Sequence, residues 1–256
     1  MSKQFRKKSI DWNFNQYGKL WLINIHYFDF LHQSDMDQEV GTTLIKDYIN
    51  SLTSGNVVLE PYPTSLRGIN WIKFIYKYSI DDDLIDNSLY AQYQYLANNV
   101  EYHILGNHIL ENAFSLLFGS FYFQNYDWFN KSNKLLQEQL HEQILSDGAH
   151  FELSPMYHKL VLDRLLDCIN LLKNNSRFKS QEKLEKLCIH KGRLMLSWLN
   201  NMTFPDGSNP HFNDSTNGIT PTSKQLFQYA DELGIKYNKT LSNNLFDSGY
   251  RKFENK

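Results

Sequence analysis

The chain has 256 residues, and its 26 basic and 28 acidic side chains give a formal net charge of −2 at pH 7. A chain of this length can bury a core without help from disulfides or metals. The balanced charge argues against nucleic acid and against an anionic membrane surface as partners. The sequence has no apolar run that could span a membrane and no secretory leader, so we expect a cytoplasmic location, with the periplasm as the alternative.

Helical periodicity dominates from about residue 40 onward. Apolar stripes predict four amphipathic helices, within residues 44–52, 85–100, 184–202 and 226–233. The acidic run 81–83 suits a helix start, and Gly234 is in the usual place for a helix end. Two other segments, 65–78 and 109–123, are apolar on nearly all sides, which is typical of helices covered on both faces.

These patterns predict an all-α fold, an incomplete (α/α) toroid in which an inner ring of helices is surrounded by an outer one. We expect a solvated tail over 1–20 and one helical domain over 21–247, followed by a short stub at 248–256. Cys168 and Cys188 lie in helical apolar patterns and are predicted to be reduced core thiols. Aromatic residues make up 15% of the chain, a share that fits a sugar cleft or a core rich in rings.

Three polar, aromatic segments separate the predicted helices, at 26–30, 60–63 and 204–214. Loops rich in His, Asp, Asn and Tyr often carry functional sites. The same residues also form turns and helix caps, so composition leaves both interpretations open.

The first candidate constellation stands at the start of a buried helix. His108 and Glu111 are three residues apart and share a helix face, and Asn112 lies one turn beyond His108. Because an unpaired buried polar group is costly, polar residues on an apolar helix need partners or a cleft. This grouping favours a cleft over a satisfied core histidine.

The second constellation follows Ser154 and Pro155, a pair that suits a helix start with Ser as the cap. Tyr157 and His158 then fall in the first turn. The positive end of the helix dipole is expected to favour the phenolate and to lower the pKa of Tyr157. Packing of a half-buried ring is the alternative for Tyr157.

Metal and nucleotide chemistry find no support in the sequence. His103 and His108 are five residues apart, which places them about 140° apart around a helix and prevents chelation of one ion. The sequence has no zinc-type cysteine pair, no P-loop and no glycine-rich dinucleotide motif. We therefore predict no metal and no cofactor.

Five blocks in order resemble the helical N-terminal half of the heparinase II/III-like polysaccharide lyases. The blocks are Trp21–Leu31, Pro61–Arg67 with Trp71–Phe74, Gly106–Asn112, Ser154–His158, and Pro205–Ser208 with Phe212–Ser215. The resemblance implies an incomplete (α/α) toroid followed by a β-sandwich domain. It implies cleavage of a uronic-acid-containing acidic polysaccharide by β-elimination, in the cleft between the two. The chain stops about where that β-rich half would begin, so a separate or missing β-sandwich domain is an expected partner.

The resemblance also implies roles for individual residues. Asn107 and His108 would neutralise the carboxylate of the uronate, and Tyr157 would act as base, acid or both. Glu111 would orient His108 or contact sugar, and Arg67 would pair with a substrate carboxylate. Weaker candidates for lining the cleft are His26, Tyr27, His158 and His211.

Two alternatives to a lyase remain at this stage. The first is a glycoside hydrolase on the same toroid, which would use two carboxylates drawn from Glu111, Glu152, Asp206 and Asp214. The second is a non-catalytic saccharide-binding or interaction module. A lyase domain of this kind could also be inactive when it is separated from its β-domain.

Overall fold

The computed structural model describes residues 10–104, 106–240 and 244–253. Within these ranges the chain forms nine α-helices, a short 3₁₀ helix at Asp29–His32 and a two-stranded hairpin. The helices are α1 Lys19–Ile25, α2 Gln38–Thr53, α3 Pro61–Tyr78, α4 Asp83–Asn98, α5 Asn107–Phe123, α6 Tyr126–Gln143, α7 Pro155–Asn174, α8 Gln181–Met202 and α9 Ser223–Glu232. The strands are β1 Asn244–Leu245 and β2 Tyr250–Arg251, which pair antiparallel. The predicted all-α fold is confirmed.

The helices form a partial ring of hairpins, as predicted. The inner helices α3, α5 and α7 contact one another in order, and each bears buried residues on nearly all sides. Their hairpin partners α4, α6 and α8 cover them from outside. Because every second helix of such a ring runs in the same direction, the N-termini of the three inner helices lie at one end.

Most helix starts follow capping rules. The side chains of Asp37, Asp82, Asn125 and Ser154 each accept a hydrogen bond from a backbone N–H in the first turn of their helix. Gly234, with a φ of 70°, follows the last turn of α9 as predicted. One boundary was wrong: the segment 60–63 is not a separate loop, because α3 already begins at Pro61, where a proline needs no N–H partner.

Both ends of the described chain pack against the ring. Trp12 lies inside the segment expected to be a tail, yet it is only 3% exposed and stacks on Phe28 at 5.1 Å. Its indole N–H donates to Asp47 at 2.9 Å. Residues 1–9, including the basic cluster, lie outside the described residues. At the other end, Ser248 accepts from the indole of Trp198 at 3.2 Å. The domain boundaries themselves stay predictions.

The main core is a large cluster of aliphatic and aromatic side chains between the inner and outer helices, and a smaller second cluster joins Ala149, Trp198, Met202 and Leu245. Cys168 and Cys188 are buried in the main core as free thiols, as predicted. Of the helices in the described residues, none is both long enough and apolar enough to cross a membrane.

Candidate active site

The N-terminus of α5 is tied to the loop that precedes α7. Gly106 adopts a φ of 86°, and a Cβ at this position would lie 2.8 Å from Oε1 of Glu152. The Glu152 carboxylate accepts the backbone N–H of Asn107, which satisfies one of the free donors at the helix start. The glycine therefore permits a close approach between the Gly106–Asn112 block and the loop that leads into the Ser154–His158 block.

His108 is held on two sides. Its Nδ1 lies 3.2 Å from Oε1 of Glu101, and its ring stacks on Tyr62 with centroids 4.2 Å apart. Glu101 is buried, and its second oxygen accepts from Asn112 at 3.0 Å. Asn112 in turn accepts from the Glu101 backbone N–H at 2.9 Å. With Nδ1 directed to a carboxylate, Nε2 of the half-buried imidazole is the nitrogen left for a ligand.

Glu111 does not orient His108, contrary to one of its two expected roles. Its carboxylate accepts from Nε of Arg164 at 3.0 Å, and Arg164 also lies 3.5 Å from Asp167. Burial raises the pKa of Glu111, while the guanidinium opposes that rise. The helical spacing placed Glu111 on the correct face, but a cation from α7 is nearer than the imidazole. Contact of Glu111 with sugar stays a prediction.

Tyr157 is the third residue of α7 and is half buried. The expected lowering of its pKa was wrong: burial raises the pKa, and the carboxylates of Glu152 and Asp214 raise it further. At neutral pH the side chain is therefore a phenol, which can donate a proton.

Two further tyrosines form a wall beside these groups. The rings of Tyr27 and Tyr62 meet edge to face with centroids 5.9 Å apart. Burial raises the pKa of Tyr27 to about 12, with Asp29, Glu111 and Tyr157 adding to the rise. The pKa of Tyr62 is raised for the same reason, since Tyr62 is half buried and lies near Glu111. These interactions bring Tyr27, Tyr62, Glu111 and Tyr157 into one neighbourhood.

The loop after α8 is anchored next to Tyr157 by a strained turn. Leu153 has a φ of 54°, unusual for a branched residue, and its carbonyl accepts from Asn213 at 3.2 Å and from Tyr250 at 2.8 Å. Phe212 stacks on Tyr250 at 5.1 Å. These contacts place the Asp214 carboxylate within electrostatic reach of Glu152 and Tyr157.

Three of the predicted site residues are structural instead. Arg67 is 1% exposed, and it donates to Gln92 at 2.6 Å, to the His26 carbonyl at 3.1 Å and to Thr64 at 3.0 Å. A guanidinium enclosed in this way cannot reach a substrate carboxylate. His26 is buried, with Nε2 2.9 Å from the Trp12 carbonyl.

His158 is also enclosed. Its Nε2 lies 3.0 Å from the Met195 carbonyl, and its Nδ1 accepts from the His150 backbone N–H at 3.3 Å. Burial lowers its pKa to about 3, so it is a neutral core residue. His211 is exposed on the loop after α8, and a role in lining the cleft stays a prediction.

The carboxylates proposed for a hydrolase separate into different environments. Glu111 is paired with Arg164, whereas Asp206 caps a turn by accepting from the backbone and hydroxyl of Ser208 at 2.9 and 2.7 Å. Glu152 and Asp214 are the two that interact with each other. Across residues 10–104, 106–240 and 244–253, no three metal-ligating side chains converge on one point.

The sequence reasoning missed Glu101, Tyr62 and Arg164. Tyr62 stands in a matched block, between two prolines, and Arg164 follows Tyr157 by two helical turns. Both spacings could have pointed to the site. Glu101 had no such signal, because its contact with His108 depends on the turn between α4 and α5.

Comparison with known proteins agrees with this architecture. The profile of the family described as Heparinase II/III N-terminus matches residues 67–235. A heparin-sulfate lyase of Pedobacter heparinus is 28% identical over 148 residues, which are 56% of this chain and 21% of that protein. A heparin-sulfate lyase of Bacteroides stercoris is 26% identical over 133 residues, 50% of this chain and 19% of that one. The matched region thus spans about a fifth of these curated relatives.

Solved structures share the fold. A crystal structure of heparinase III superposes with a TM-score of 0.65 at 16% identity, covering 94% of this chain and 41% of that one. A mutant heparan sulfate lyase from Pedobacter heparinus gives a TM-score of 0.60 at 20% identity, covering 93% and 43%. The family profile covers well over half of the sequence, and the chain belongs to the heparinase II/III family through its N-terminal helical domain.

Proposed function

We propose that this chain carries the saccharide-binding and proton-transfer groups of a polysaccharide lyase that acts on a uronic-acid-containing polysaccharide by β-elimination. The observation that supports the proposal most directly is the position of Glu152. Its carboxylate accepts the Asn107 backbone N–H and interacts electrostatically with both His108 and Tyr157. The residues expected to bind the uronate and to move the proton therefore share one carboxylate neighbour.

The chemistry makes three demands on the site. The proton on the carbon next to the uronate carboxylate must pass to a base. Its electron pair forms the new carbon–carbon double bond as the bond from the adjacent carbon to the glycosidic oxygen breaks, and that oxygen takes a proton from an acid. As the proton leaves, negative charge builds on the carboxylate, and donors are needed to stabilise it. We assign this role to Asn107 and to the imidazolium form of His108, because with Nδ1 directed to Glu101 a second proton on Nε2 is needed for Nε2 to donate.

The phenol of Tyr157 suits the last of these steps. Because its pKa is raised, Tyr157 is protonated at neutral pH and can donate to the departing oxygen. The same raised pKa makes proton abstraction by Tyr157 harder. A base role would therefore need an added positive charge, such as a protonated His108, close to the phenolate.

The charge of the site bears on the substrate. Glu101, Glu152 and Asp214 are carboxylates near His108 and Tyr157, and the nearby cation Arg164 is already paired with Glu111. Such a site disfavours densely sulfated chains. The names of the curated relatives extend the candidates to glycosaminoglycans, and among these we favour polymers with few sulfate groups.

The test is to incubate the protein with hyaluronan, heparan sulfate, chondroitin and alginate, and to follow the ultraviolet absorbance of the new carbon–carbon double bond. Wild type and the exposed-tyrosine control Tyr126→Phe should give product, whereas Tyr157→Phe should lose at least about 100-fold in rate. New reducing ends without ultraviolet absorbance would support the hydrolase instead. Binding without turnover, unchanged in Tyr157→Phe, would support the non-catalytic module.

A further inference from the structure

A cavity opens at the end of the ring opposite the candidate active site. Its volume is about 700 Å³, and it lies between the C-terminal ends of α3, α5 and α7. Tyr62 and Lys77 lie fifteen residues apart on α3, which corresponds to a rise of about 22 Å. The cavity is therefore well separated from His108 and Tyr157 and is not part of the candidate active site.

The charge of this cavity is opposite in sign to that of the active site. Lys73, Lys77 and Arg177 line it, together with a single carboxylate, Asp167. Asp167 is already paired with Lys73 and with Arg164. Among the ion pairs of the described residues, none includes Lys77 or Arg177. The ammonium of Lys77 lies over the Tyr78 ring, 4.7 Å from its centroid, so the two cations have no carboxylate partner although the net charge of the chain is negative.

The cationic groups are interleaved with rings and amides. Tyr76 is 86% exposed at the rim, and the Tyr122 ring is fixed by a hydrogen bond of 2.7 Å from its hydroxyl to Asp86. Asn174 lines the same wall. Flat aromatic faces pack against the apolar faces of sugar rings, and amides exchange hydrogen bonds with hydroxyl groups. This lining suits a hydroxyl-rich ligand.

The helix dipoles at the cavity affect which anions can bind there. The cavity is at the C-terminal, negative ends of α3 and α7, which disfavour a compact dianion such as phosphate. A sugar carboxylate carries one charge spread over two oxygens, which matches the geometry of a guanidinium, while the hydroxyl groups donate to nearby oxygens.

From these observations we propose that the cavity is a second saccharide site that takes a carboxylate-bearing sugar unit. The proposal rests on the proposed function only for the identity of the polymer, since the second site would bind the substrate that the first one cleaves. Lys77 and Arg177 bind the carboxylate, and the exposed ring of Tyr76 packs against the pyranose.

The experiment uses the whole chain with Tyr157→Phe, so that the ligand is not consumed. The probe is an unsulfated tetrasaccharide of alternating glucuronic acid and N-acetylglucosamine. Calorimetry should detect a binding event that Lys77→Ala combined with Arg177→Ala weakens by at least about tenfold. These side chains are exposed, so folding is not at risk. Lys239→Ala combined with Arg193→Ala is the matched control, because Lys239 also lies over a tyrosine ring, that of Tyr237 at 5.3 Å.

Amine labelling read by mass spectrometry locates the ligand. The tetrasaccharide should protect the amine of Lys77 and leave that of Lys239 unchanged. Equal affinity of the double variant and wild type, or equal protection by a neutral glucose tetrasaccharide or by inorganic phosphate, would overturn the proposal. Protection of Lys77 without any ultraviolet product from the wild type would contradict the lyase and leave the second site standing. Ultraviolet product from the wild type without protection of Lys77 would support the lyase and overturn the second site.

Discussion

Glu101 and His108 form a carboxylate–imidazole pair in which the carboxylate is the buried partner. Oε1 of Glu101 lies 3.2 Å from Nδ1 of His108, and Oε2 is held at 3.0 Å by Asn112. Asn112 on α5 thus fixes the carboxylate of Glu101. The same carboxylate contacts the imidazole of His108, which lies one turn nearer the start of α5. This arrangement sets which nitrogen of His108 carries the proton.

Replacement of Glu101 by Gln should therefore impair the site. The amide has the shape of the carboxylate but cannot accept from both His108 and Asn112, so the wrong tautomer becomes available. We expect kcat/KM to fall by at least about tenfold and the free energy of unfolding to fall by about 1–2 kcal/mol. The matched control is Glu138→Gln, an exposed position on α6. Nitrogen NMR shifts of His108 report the tautomer, and unchanged shifts with full activity would refute the pairing.

Asp214→Asn should lower the pKa of Tyr157. The negative charge of Asp214 disfavours the phenolate and contributes to the raised pKa, so its removal lets Tyr157 ionise at lower pH. The measurement is an ultraviolet titration in which the Tyr157→Phe spectrum is subtracted, because the chain has 16 tyrosines. Asp206→Asn, in the same loop, should leave the titration of Tyr157 unchanged. A shift in the opposite direction would mean that Asp214 does not face the phenol.

Asp163→Asn should stabilise the protein at neutral pH. Burial and the charge of Asp167 raise the pKa of Asp163 from 3.8 to about 6. The folded state therefore holds its proton more tightly than the unfolded state. Its contribution to stability is complete below about pH 4 and is lost as the pH rises to about 6. Asparagine stays neutral and avoids a loss of about 2–3 kcal/mol.

Urea unfolding at about pH 4 and at about pH 7.5 tests this sign. The Asp163→Asn variant and wild type should have similar stability at the lower pH, and the variant should be the more stable at the higher. Asp231→Asn on the exposed side of α9 serves as the control. Equal stability at both pH values would show that Asp163 is solvated.

Gly148→Ala should destabilise the turn that leads to Glu152. Gly148 has a φ of 94°, and a Cβ there would lie 2.1 Å from the Leu194 carbonyl oxygen, which belongs to the backbone of α8. The backbone strain and the clash together should cost about 2–4 kcal/mol, measured by thermal unfolding. Gly55→Ala is the control, with a φ of 73° and no atom near the added Cβ, and should cost about 1 kcal/mol. A similar loss of stability in both variants would mean that the α8 backbone at Leu194 moves to make room for the added Cβ.

Most of the toroid could be predicted because its helices carry continuous apolar stripes and clear caps. Ser154 and Pro155 indicated the start of α7 correctly, and Gly234 marked the end of α9. The helix α6 was not predicted, although its buried residues recur at helical spacing, because polar residues such as Ser132, Gln139 and Gln143 occupy part of the buried face. That face packs against α5.

Part of the candidate site could be predicted from local sequence alone. His108 and Tyr157 each stand near a helix start, so local patterns point to them, whereas Asn107 was named from the family resemblance, and the roles of all three stay predictions. Arg67 and His158 were misjudged because residue type suggests chemistry, whereas burial depends on distant parts of the chain. Arg67 is bound by the His26 carbonyl, and His158 is bound by the Met195 carbonyl on α8. Pairings of this kind join residues tens of positions apart, and no local spacing encodes them.

The hydrogen bond from Tyr250 to the Leu153 carbonyl has a consequence for the order in which the protein is made. It joins positions 97 residues apart, and Ser248 is joined to Asp147 across 101 residues at 2.8 Å. The helices of the ring leave the ribosome first and can begin to pack while synthesis continues. The turn that supports Tyr157 gains these contacts only after residue 250 has been added. During synthesis the helical ring can therefore form before the turn beside Tyr157 gains these hydrogen bonds.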